Sequence, residues 1–257
     1  MACAKIETLT CAPFTTSVSP SPHHLRQRAR PLTEAELASI PWLAGLEPGA
    51  HERARDALMV SEADPGDYLC RVGRPVTYGF GLIDGLLKMS NDDSRGPIMT
   101  FTGVAPGGWV GEGTALKREA DRCNIQALRR SRVAGLPVDI FHWLLDHSIA
   151  FNRFVMNQLN DGPVHSRRGI DRISDPDVRV ARSLANLFHP GLFPGVGQVL
   201  RITQQELAYL VGLSRQRVNL ALAHWERAGA IQVEYSGLRV LDLQALRRAG
   251  VDHAAAP

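Results

Sequence analysis

Four side chains that can hydrogen-bond to the edges of DNA bases stand together between residues 215 and 219. They follow Ser214 directly and are Arg215, Gln216, Arg217 and Asn219. An arginine can bond both acceptors of guanine, and a glutamine or asparagine can bond the acceptor and donor of adenine. A serine at a helix start, with the first-turn amides behind it, suits phosphate oxygens. The pattern therefore predicts a base-reading helix that begins after Ser214.

The residues upstream of Ser214 predict a second helix that would hold the first one in place. Thr203 and Glu206 have the spacing of a capping box, so a helix should begin there. Gly212 then supplies a tight turn, and a helix, a short glycine turn and a helix make a helix-turn-helix. We expect Thr203 and Gln204, like Ser214, to contact phosphates at the open end of this motif.

The inner face of the base-reading helix and the hairpin that follows it can also be predicted. The apolar positions that would face the core are Val218, Leu220 or Ala221, Leu222 and Trp225. Residues 230–234 and 238–241 flank a Tyr-Ser-Gly turn and predict a β-hairpin wing.

Upstream of this motif, the sequence predicts a β-domain. Between Met59 and Pro137, glycine and proline turn signals recur at short intervals and separate short apolar runs. This spacing is typical of an antiparallel sandwich or roll. Ahead of it, Thr33 and Glu36 suggest a capped helix.

The pattern becomes helical after Val138 and predicts one helix before His147 and a longer one over 149–174. The Gly162-Pro163 pair should kink this long helix, because proline removes a backbone donor and clashes with the preceding turn. Asp175-Pro176 then has the form of a cap that opens the next helix. Residues 1–30 are rich in proline, serine and threonine, and we expect a disordered tail.

The fold class predicted from these segments is α+β. It comprises the tail at 1–30, a β-roll domain at 31–148, the long helix at 149–174 and a winged helix-turn-helix at 175–250.

The composition excludes several classes of protein. The 257-residue chain is 44% hydrophobic and 21% charged, with a formal net charge of +3. It lacks the run of about 20 apolar residues that a membrane span needs. Its start does not have the pattern of a secretory signal, so we expect a cytoplasmic protein. Cysteines at 3, 11, 70 and 123 form no C-x-x-C pair, so we expect no bound metal, and thiols that are buried or incidental.

The segment ITQQELAYLVGLSRQRVNLALAHWERAGAI at 202–231 closely resembles the winged helix-turn-helix of the Crp/Fnr family of bacterial regulators. The resemblance implies a cyclic-nucleotide-binding-like β-roll of the cupin or jelly-roll kind and a long dimerisation helix. It also implies a homodimer on a palindromic, double-stranded DNA operator, with RNA polymerase as a further partner. Arg215 carries over as a base reader. Gln216 replaces a frequent glutamate of the family and Leu220 an arginine, so the operator sequence cannot be transferred.

A second part of the resemblance concerns an effector. Gly111, Glu112, Gly113 and Thr114, followed by Arg122 and Cys123, resemble the family's phosphate-binding cassette, which we call the cassette below. In the family, the glutamate meets a ribose hydroxyl and the arginine meets a cyclic phosphate, which implies a cyclic nucleotide as the effector. This chain departs from the pattern at Cys123, where serine or threonine is usual, and at Asn124.

Several alternatives remain at this level. The effector could be another small molecule, a haem bound through His142, His147 or His165, or a redox signal sensed by an iron–sulfur cluster, or the regulator could act without any effector. The cassette could be a plain turn with a salt bridge between Glu112 and Arg122, and the winged helix could bind protein. An enzyme is not expected, because no metal triad, nucleophile elbow or Walker loop occurs.

Overall fold

The computed structural model describes residues 29–91, 99–161, 173–235 and 237–249. Its first part is a roll of two antiparallel sheets, which confirms the predicted fold class. One sheet has the order β1-β2-β9-β4-β7 and the other β3-β8-β5-β6. The strands are β1 (Arg30–Pro31), β2 (Met59–Ala63), β3 (Tyr68–Cys70), β4 (Tyr78–Asp84), β5 (Leu87–Asn91), β6 (Met99–Val104), β7 (Trp109–Val110), β8 (Asn124–Ala127) and β9 (Ser131–Pro137).

Strand β4 shows why glycines made the strand pattern hard to predict. We expected Gly79 and Gly81 to mark turns, yet both lie within this strand and pair with β9. A side chain at Gly81 would overlap the ring of Trp109, so this glycine permits close packing.

In the part of the roll domain that the structure describes, five α-helices accompany the strands. They are α1 (Glu34–Ala38), α2 (Pro48–Ala57), α3 (Glu112–Lys117), α4 (Val138–His147) and α5 (Ile149–Asp161). Helix α1 begins with the expected capping box, in which Thr33 N donates to Glu36 Oε2 at 2.9 Å. Helix α3 was expected only as a glycine-rich turn.

The prediction of a disordered tail over 1–30 was wrong at Arg30, which pairs with Val60 in the first sheet and binds Glu36. Residues 1–28 lie outside the described residues. The predicted long helix at 149–174 is helical through Asp161 but not at Ile173 and Ser174, and Gly162-Pro163 lies outside the described residues.

The C-terminal part has the predicted winged helix-turn-helix. Asp175 caps its first helix by accepting from Asp177 N at 2.8 Å. A three-stranded sheet of order β10-β12-β11 carries the wing. The elements are α6 (Pro176–Leu187), β10 (Val199–Leu200), α7 (Gln204–Val211), α8 (Arg215–Arg227), β11 (Ile231–Glu234), β12 (Gly237–Val240) and α9 (Leu243–Arg248).

The two parts share one apolar core, in which α6 and α7 pack against strand β6 of the roll. A Cβ atom on Gly103 would lie 2.7 Å from Leu210 Cδ1 and 3.0 Å from Leu187 Cδ2, so this glycine allows the close approach. Nearby, Gly195 N donates to Pro106 O at 3.2 Å. The helix-turn-helix is therefore docked on the roll. In the described part of the chain, no helix is both long enough and apolar enough to cross a bilayer.

Candidate nucleic-acid interface and effector site

Helix α8 begins at Ser214 and presents a polar face to solvent. The Ser214 hydroxyl accepts from Arg217 N at 3.2 Å, as the sequence predicted. Val218, Ala221 and Leu222 are buried, whereas Leu220 is 56% exposed, which settles the choice between Leu220 and Ala221. The exposed face of the first two turns consists of Arg215, Gln216, Asn219 and Leu220.

Arg217 is placed differently from the other three predicted base readers. Its guanidinium Nη2 lies 3.0 Å from Asp177 Oδ1 at the start of α6. Trp225 Nε1 also donates to the Asp177 carbonyl at 2.9 Å. These two contacts tie α8 to α6, so Arg217 and Trp225 hold α8 in the domain.

The predicted phosphate contacts lie at the starts of α7 and α8. Thr203 Oγ1 accepts from Glu206 N at 3.1 Å and donates to Glu206 Oε2 at 2.9 Å, so its proton is already used. Gln204 is half-buried in the first turn, and Ser214 is exposed. Among the described contacts, the Ser214 hydroxyl acts only as an acceptor. The Ser214 hydroxyl proton is therefore better placed than that of Thr203 to bind a phosphate oxygen.

An ion pair that we did not predict joins this motif to the roll. Arg129 Nε lies 3.1 Å from Glu206 Oε1, without the alignment of a hydrogen bond, and Arg129 Nη2 donates to the Arg201 carbonyl. Glu206 is thus shared between the cap of α7 and the turn between β8 and β9. The sequence holds no signal for this contact, because its partners are far apart along the chain.

The first four residues of the cassette form the cap and the first turn of α3. Gly111 caps this helix with φ 93°, a conformation that favours glycine, and Glu112 follows. Glu112 as a whole is half-buried, but its Oε2 atom is fully buried and has no hydrogen-bond partner among the described residues. Burial raises the pKa of Glu112. A buried acceptor in this state is costly unless another group supplies a donor.

Helix α3 is held between α4 and α5. His142 Nε2 lies 2.9 Å from the Ala115 carbonyl, and Thr114 Oγ1 donates to the Gly111 carbonyl at 3.3 Å. A Cβ atom on Gly113 would lie 3.8 Å from Leu159 Cδ2. The cassette therefore contacts the helix predicted to form a dimer.

Arg122 does not form the salt bridge that the turn hypothesis required. Its side chain is 62% exposed and pairs with Glu119, whereas the turn hypothesis required a salt bridge to Glu112. Cys123 beside it is half-buried. Asn124 has a structural role, because its Oδ1 accepts from Val72 N at 3.0 Å.

The histidines considered for haem have other contacts. His142 binds the cassette helix, and His147 Nδ1 lies 2.8 Å from the Trp143 carbonyl. His165 lies outside the described residues. Within the described ranges, no group of three histidine, cysteine or acidic residues is arranged to hold a metal ion.

Comparison with protein families gives two matches. Residues 178–249 match the Crp-like helix-turn-helix domain, and residues 60–148 match the cyclic nucleotide-binding domain. Two transcriptional regulators of Thermus thermophilus are relatives. LdrP is 30% identical over 173 residues, which cover 66% of this chain and 85% of LdrP. SdrP is 28% identical over 177 residues, which cover 67% of this chain and 84% of SdrP.

Solved structures share the fold. FixK2 from Bradyrhizobium japonicum matches with a TM-score of 0.58 and 14% identity, over 75% of this chain and 96% of FixK2. The c-di-GMP responsive regulator CLP from Xanthomonas campestris matches with a TM-score of 0.50 and 17% identity, over 76% of this chain and 99% of CLP.

Proposed function

Because the chain belongs to the Crp/Fnr family of transcriptional regulators, we propose that it binds a palindromic DNA operator as a homodimer under the control of an effector in its roll. It is a transcription regulator with a cyclic nucleotide-binding domain and a DNA-binding helix-turn-helix, and it is not an enzyme. The observation that carries the proposal is the exposed polar face of α8.

The polar side chains exposed on α8 support its role in base reading. Arg215, Gln216 and Asn219 are exposed on the first two turns, while the opposite side of the helix is buried against its domain. A helix in this position can enter a major groove with its N-terminal residues on the base edges. We assign base reading to these three residues and phosphate binding to Ser214, with Gln204 and Thr203 at the neighbouring helix start. Arg217 would join the base readers only after it leaves Asp177.

Dimerisation is supported by the exposed face of α5. Ile149 is 68% exposed and Met156 is 64% exposed, and their spacing of two turns puts both on one side of the helix. A second copy that covered this side would bury apolar surface now in contact with water. In a two-fold symmetric dimer, the recognition helices must lie about 34 Å apart to enter successive major grooves. We also include RNA polymerase among the partners, since the relatives regulate transcription.

A cyclic mono- or dinucleotide is the effector class that we propose. Glu112 Oε2 is a buried acceptor without a donor, and a ribose hydroxyl would supply one. Gly111 and Gly113 place no side chain at the helix start, and a Cβ atom on either would reach ordinary van der Waals contact with its nearest neighbour, at 3.7 and 3.8 Å. Arg122 would have to leave Glu119 to reach a phosphate, so ligand binding would exchange one ion pair for another.

The DNA proposal is tested by selecting binding sites from random duplexes with the purified protein. We expect a palindrome to be enriched and binding to weaken as salt rises. Arg215→Ala should cost about 1 to 3 kcal/mol on that palindrome and relax base preference at one position. Arg227→Ala, an exposed arginine near the end of the same helix, is the matched control. Unchanged specific binding by Arg215→Ala would show that α8 does not read bases.

The effector proposal is tested by thermal shift with cyclic AMP, cyclic GMP and cyclic di-GMP. We expect at least one of them to raise the melting temperature of the wild type, and to raise that of Glu112→Gln less, because a neutral amide oxygen accepts a hydrogen bond more weakly than a carboxylate. Glu52→Gln on α2, which is exposed and outside the cassette, should behave as the wild type. A full shift in Glu112→Gln would rule out this role for Glu112, and no shift in the wild type would favour control without a nucleotide.

A further inference from the structure

Two thiols and a carboxylate lie close together at the cassette residue Cys123. Cys70 ends strand β3, while Asp121 and Cys123 lie just before strand β8. The Cys70 thiol donates to the Cys123 carbonyl oxygen at 3.5 Å, and burial, followed by the nearby Asp121 carboxylate, raises the pKa of Cys70. Both cysteines are in the thiol form.

The strand register brings Cys123 close to Cys70. Cys70 pairs with Ile125, and Cys123 lies in the bend two residues before Ile125. The Cys123 carbonyl accepts from the Cys70 thiol at 3.5 Å, which places the two residues side by side at this end of the sheet. Cys123 also packs against the core cluster that contains Cys70.

Backbone hydrogen bonds keep the two segments aligned beyond the strands. Gly73 N donates to the Asp121 carbonyl at 2.8 Å, and Asp121 N donates to the Arg74 carbonyl at 2.8 Å. The register also shifts between Tyr68 and Cys70, as at a β-bulge. The thiols are therefore held near each other, at a point where the sheet is already irregular.

The two thiols differ in their access to solvent. Cys70 is 6% exposed, whereas Cys123 is half-buried and can be reached by a small oxidant. Burial raises the pKa of Cys70 well above its ordinary value, so this thiol needs a base in order to react. Burial also raises the pKa of Asp121, to about 6, which leaves Asp121 mostly ionised at neutral pH and able to take a proton from Cys70.

We propose that Cys70 and Cys123 form a dithiol modification site, which a hydroperoxide converts reversibly into an intramolecular disulfide. In the first step, the Cys123 thiolate attacks a peroxide oxygen. The S–O bond forms, the O–O bond breaks, and the leaving oxygen takes up the thiol proton as water. In the second step, Cys70 transfers its proton to Asp121 and attacks the Cys123 sulfur, so the S–S bond forms and the S–O bond breaks. The departing hydroxide takes the proton from Asp121, and in total two thiols are oxidised while hydrogen peroxide is reduced to two waters.

Disulfide formation would change the geometry of the cassette. In the thiol form, the Cys70 thiol donates to the Cys123 carbonyl, whereas a disulfide needs the two sulfurs about 2.0 Å apart and a specific Cβ–S–S–Cβ dihedral. The bond therefore draws the end of β3 toward Cys123 and moves Arg122, the residue directly before it. The effect on nucleotide binding rests on the proposed function of the cassette, while formation of the disulfide does not.

The experiment uses the full chain with Cys3 and Cys11 replaced by serine, so that only this thiol pair can react. The folded protein is treated with hydrogen peroxide, digested and mapped by mass spectrometry. We expect a linked peptide pair that has lost two hydrogen atoms and is restored by dithiothreitol. In Cys70→Ser, dimedone should instead trap a sulfenic acid on Cys123, and in Cys123→Ser, Cys70 should stay unmodified. Asp121→Asn should keep both thiols and slow the linkage several-fold at pH 7.

Two results would overturn the proposal. One is peroxide treatment that oxidises Cys123 without linking it to Cys70, and the other is a folded protein in which neither thiol reacts although both react after denaturation. The nucleotide thermal shift is measured in parallel on reduced and oxidised protein, and we expect it to change on oxidation only where both cysteines are present. If the reduced wild type shows no nucleotide shift, the proposed effector class fails, and the mass-spectrometric result still decides whether the disulfide forms.

Discussion

Glu36 shows how a single buried carboxylate can organise the start of a domain. It is only 4% exposed, and the Arg30 guanidinium holds it with two hydrogen bonds of 2.7 and 2.8 Å. Arg132 Nη1 lies 3.3 Å from it across the sheet, and Thr33 N donates to it at 2.9 Å. The hydrogen bonds from Arg30, followed by those from Thr33, outweigh the effect of burial and lower the pKa of Glu36 to about 2.

A dependence of stability on acid follows from this pKa. Because the folded pKa lies below the ordinary value of 4.5, the contribution of Glu36 is fully present above about pH 5 and is lost as the pH falls toward 2. Between pH 6 and pH 3, the wild type should lose about 1.5 to 3 kcal/mol more free energy of unfolding than Glu36→Gln, the range expected for hydrogen bonds to a charged group. Urea unfolding at a series of pH values measures this difference. Glu34→Gln, on the exposed side of the same helix, should follow the wild type, and parallel curves for all three proteins would contradict the assignment.

At the scale of elements, strand β8 connects the cassette to the helix-turn-helix. Arg122 and Cys123 precede β8, and Arg129 follows it. Arg129 then binds Glu206 and the Arg201 carbonyl at the start of α7. Strand β8 therefore connects the cassette to the first helix of the helix-turn-helix through a continuous run of contacts.

We expect Arg129→Met to loosen the start of α7 without unfolding the protein. The ion pair is partly exposed, so its loss should cost about 0.5 to 1 kcal/mol. The first amides of α7 should exchange hydrogen several-fold faster in the DNA-free protein. Glu206→Gln should have a similar effect, because glutamine keeps the capping box and removes only the charge. Arg130→Met is the control, since Arg130 pairs with Glu62 within the roll domain. Equal amide exchange in Arg129→Met and Arg130→Met would show that the ion pair between Arg129 and Glu206 does not influence α7.

At the scale of the whole molecule, the aromatic cluster around Trp42 joins the roll to the exposed helix α5. The Trp42 ring centroid lies 5.2 Å from that of Trp109, just ahead of the cassette, and 5.0 Å from that of Phe151 on α5. These edge-to-face contacts make α5 part of the core on one side. Its other side keeps Ile149 and Met156 in solvent.

Charged substitutions on that exposed side should separate the dimer that we propose. A two-fold dimer buries one such side chain from each copy, and each contributes about 1.5 to 3 kcal/mol, so Met156→Glu should weaken dimerisation by about a hundredfold or more. Sedimentation velocity over a range of protein concentrations measures this change. The variant should also lose its preference for the palindrome over a single half-site. Leu241→Glu, a similarly exposed apolar residue beyond the wing, should leave the dimer intact, and an undiminished dimer in Met156→Glu would place the interface elsewhere.

The sequence by itself determined the features that depend on contacts within one or two helical turns or on one tight turn. The capping box at Thr203, the cap at Ser214, the turn at Gly212 and the hairpin wing all lie where the pattern predicted them. Such features follow from a few neighbouring residues, so no knowledge of the tertiary structure is needed. The family resemblance followed from the same segment and was confirmed.

The tertiary structure decided which distant groups meet. Arg217 was expected on a base edge, yet it pairs with Asp177, which lies 40 residues earlier in the chain. Arg122 has a carboxylate partner, but it is Glu119 and not Glu112. An arginine can pair with any carboxylate that the fold brings within reach, and a glycine can serve a turn or a close approach equally well. Only the packing of the helices and the roll against one another decides which partner each arginine meets and which role each glycine has.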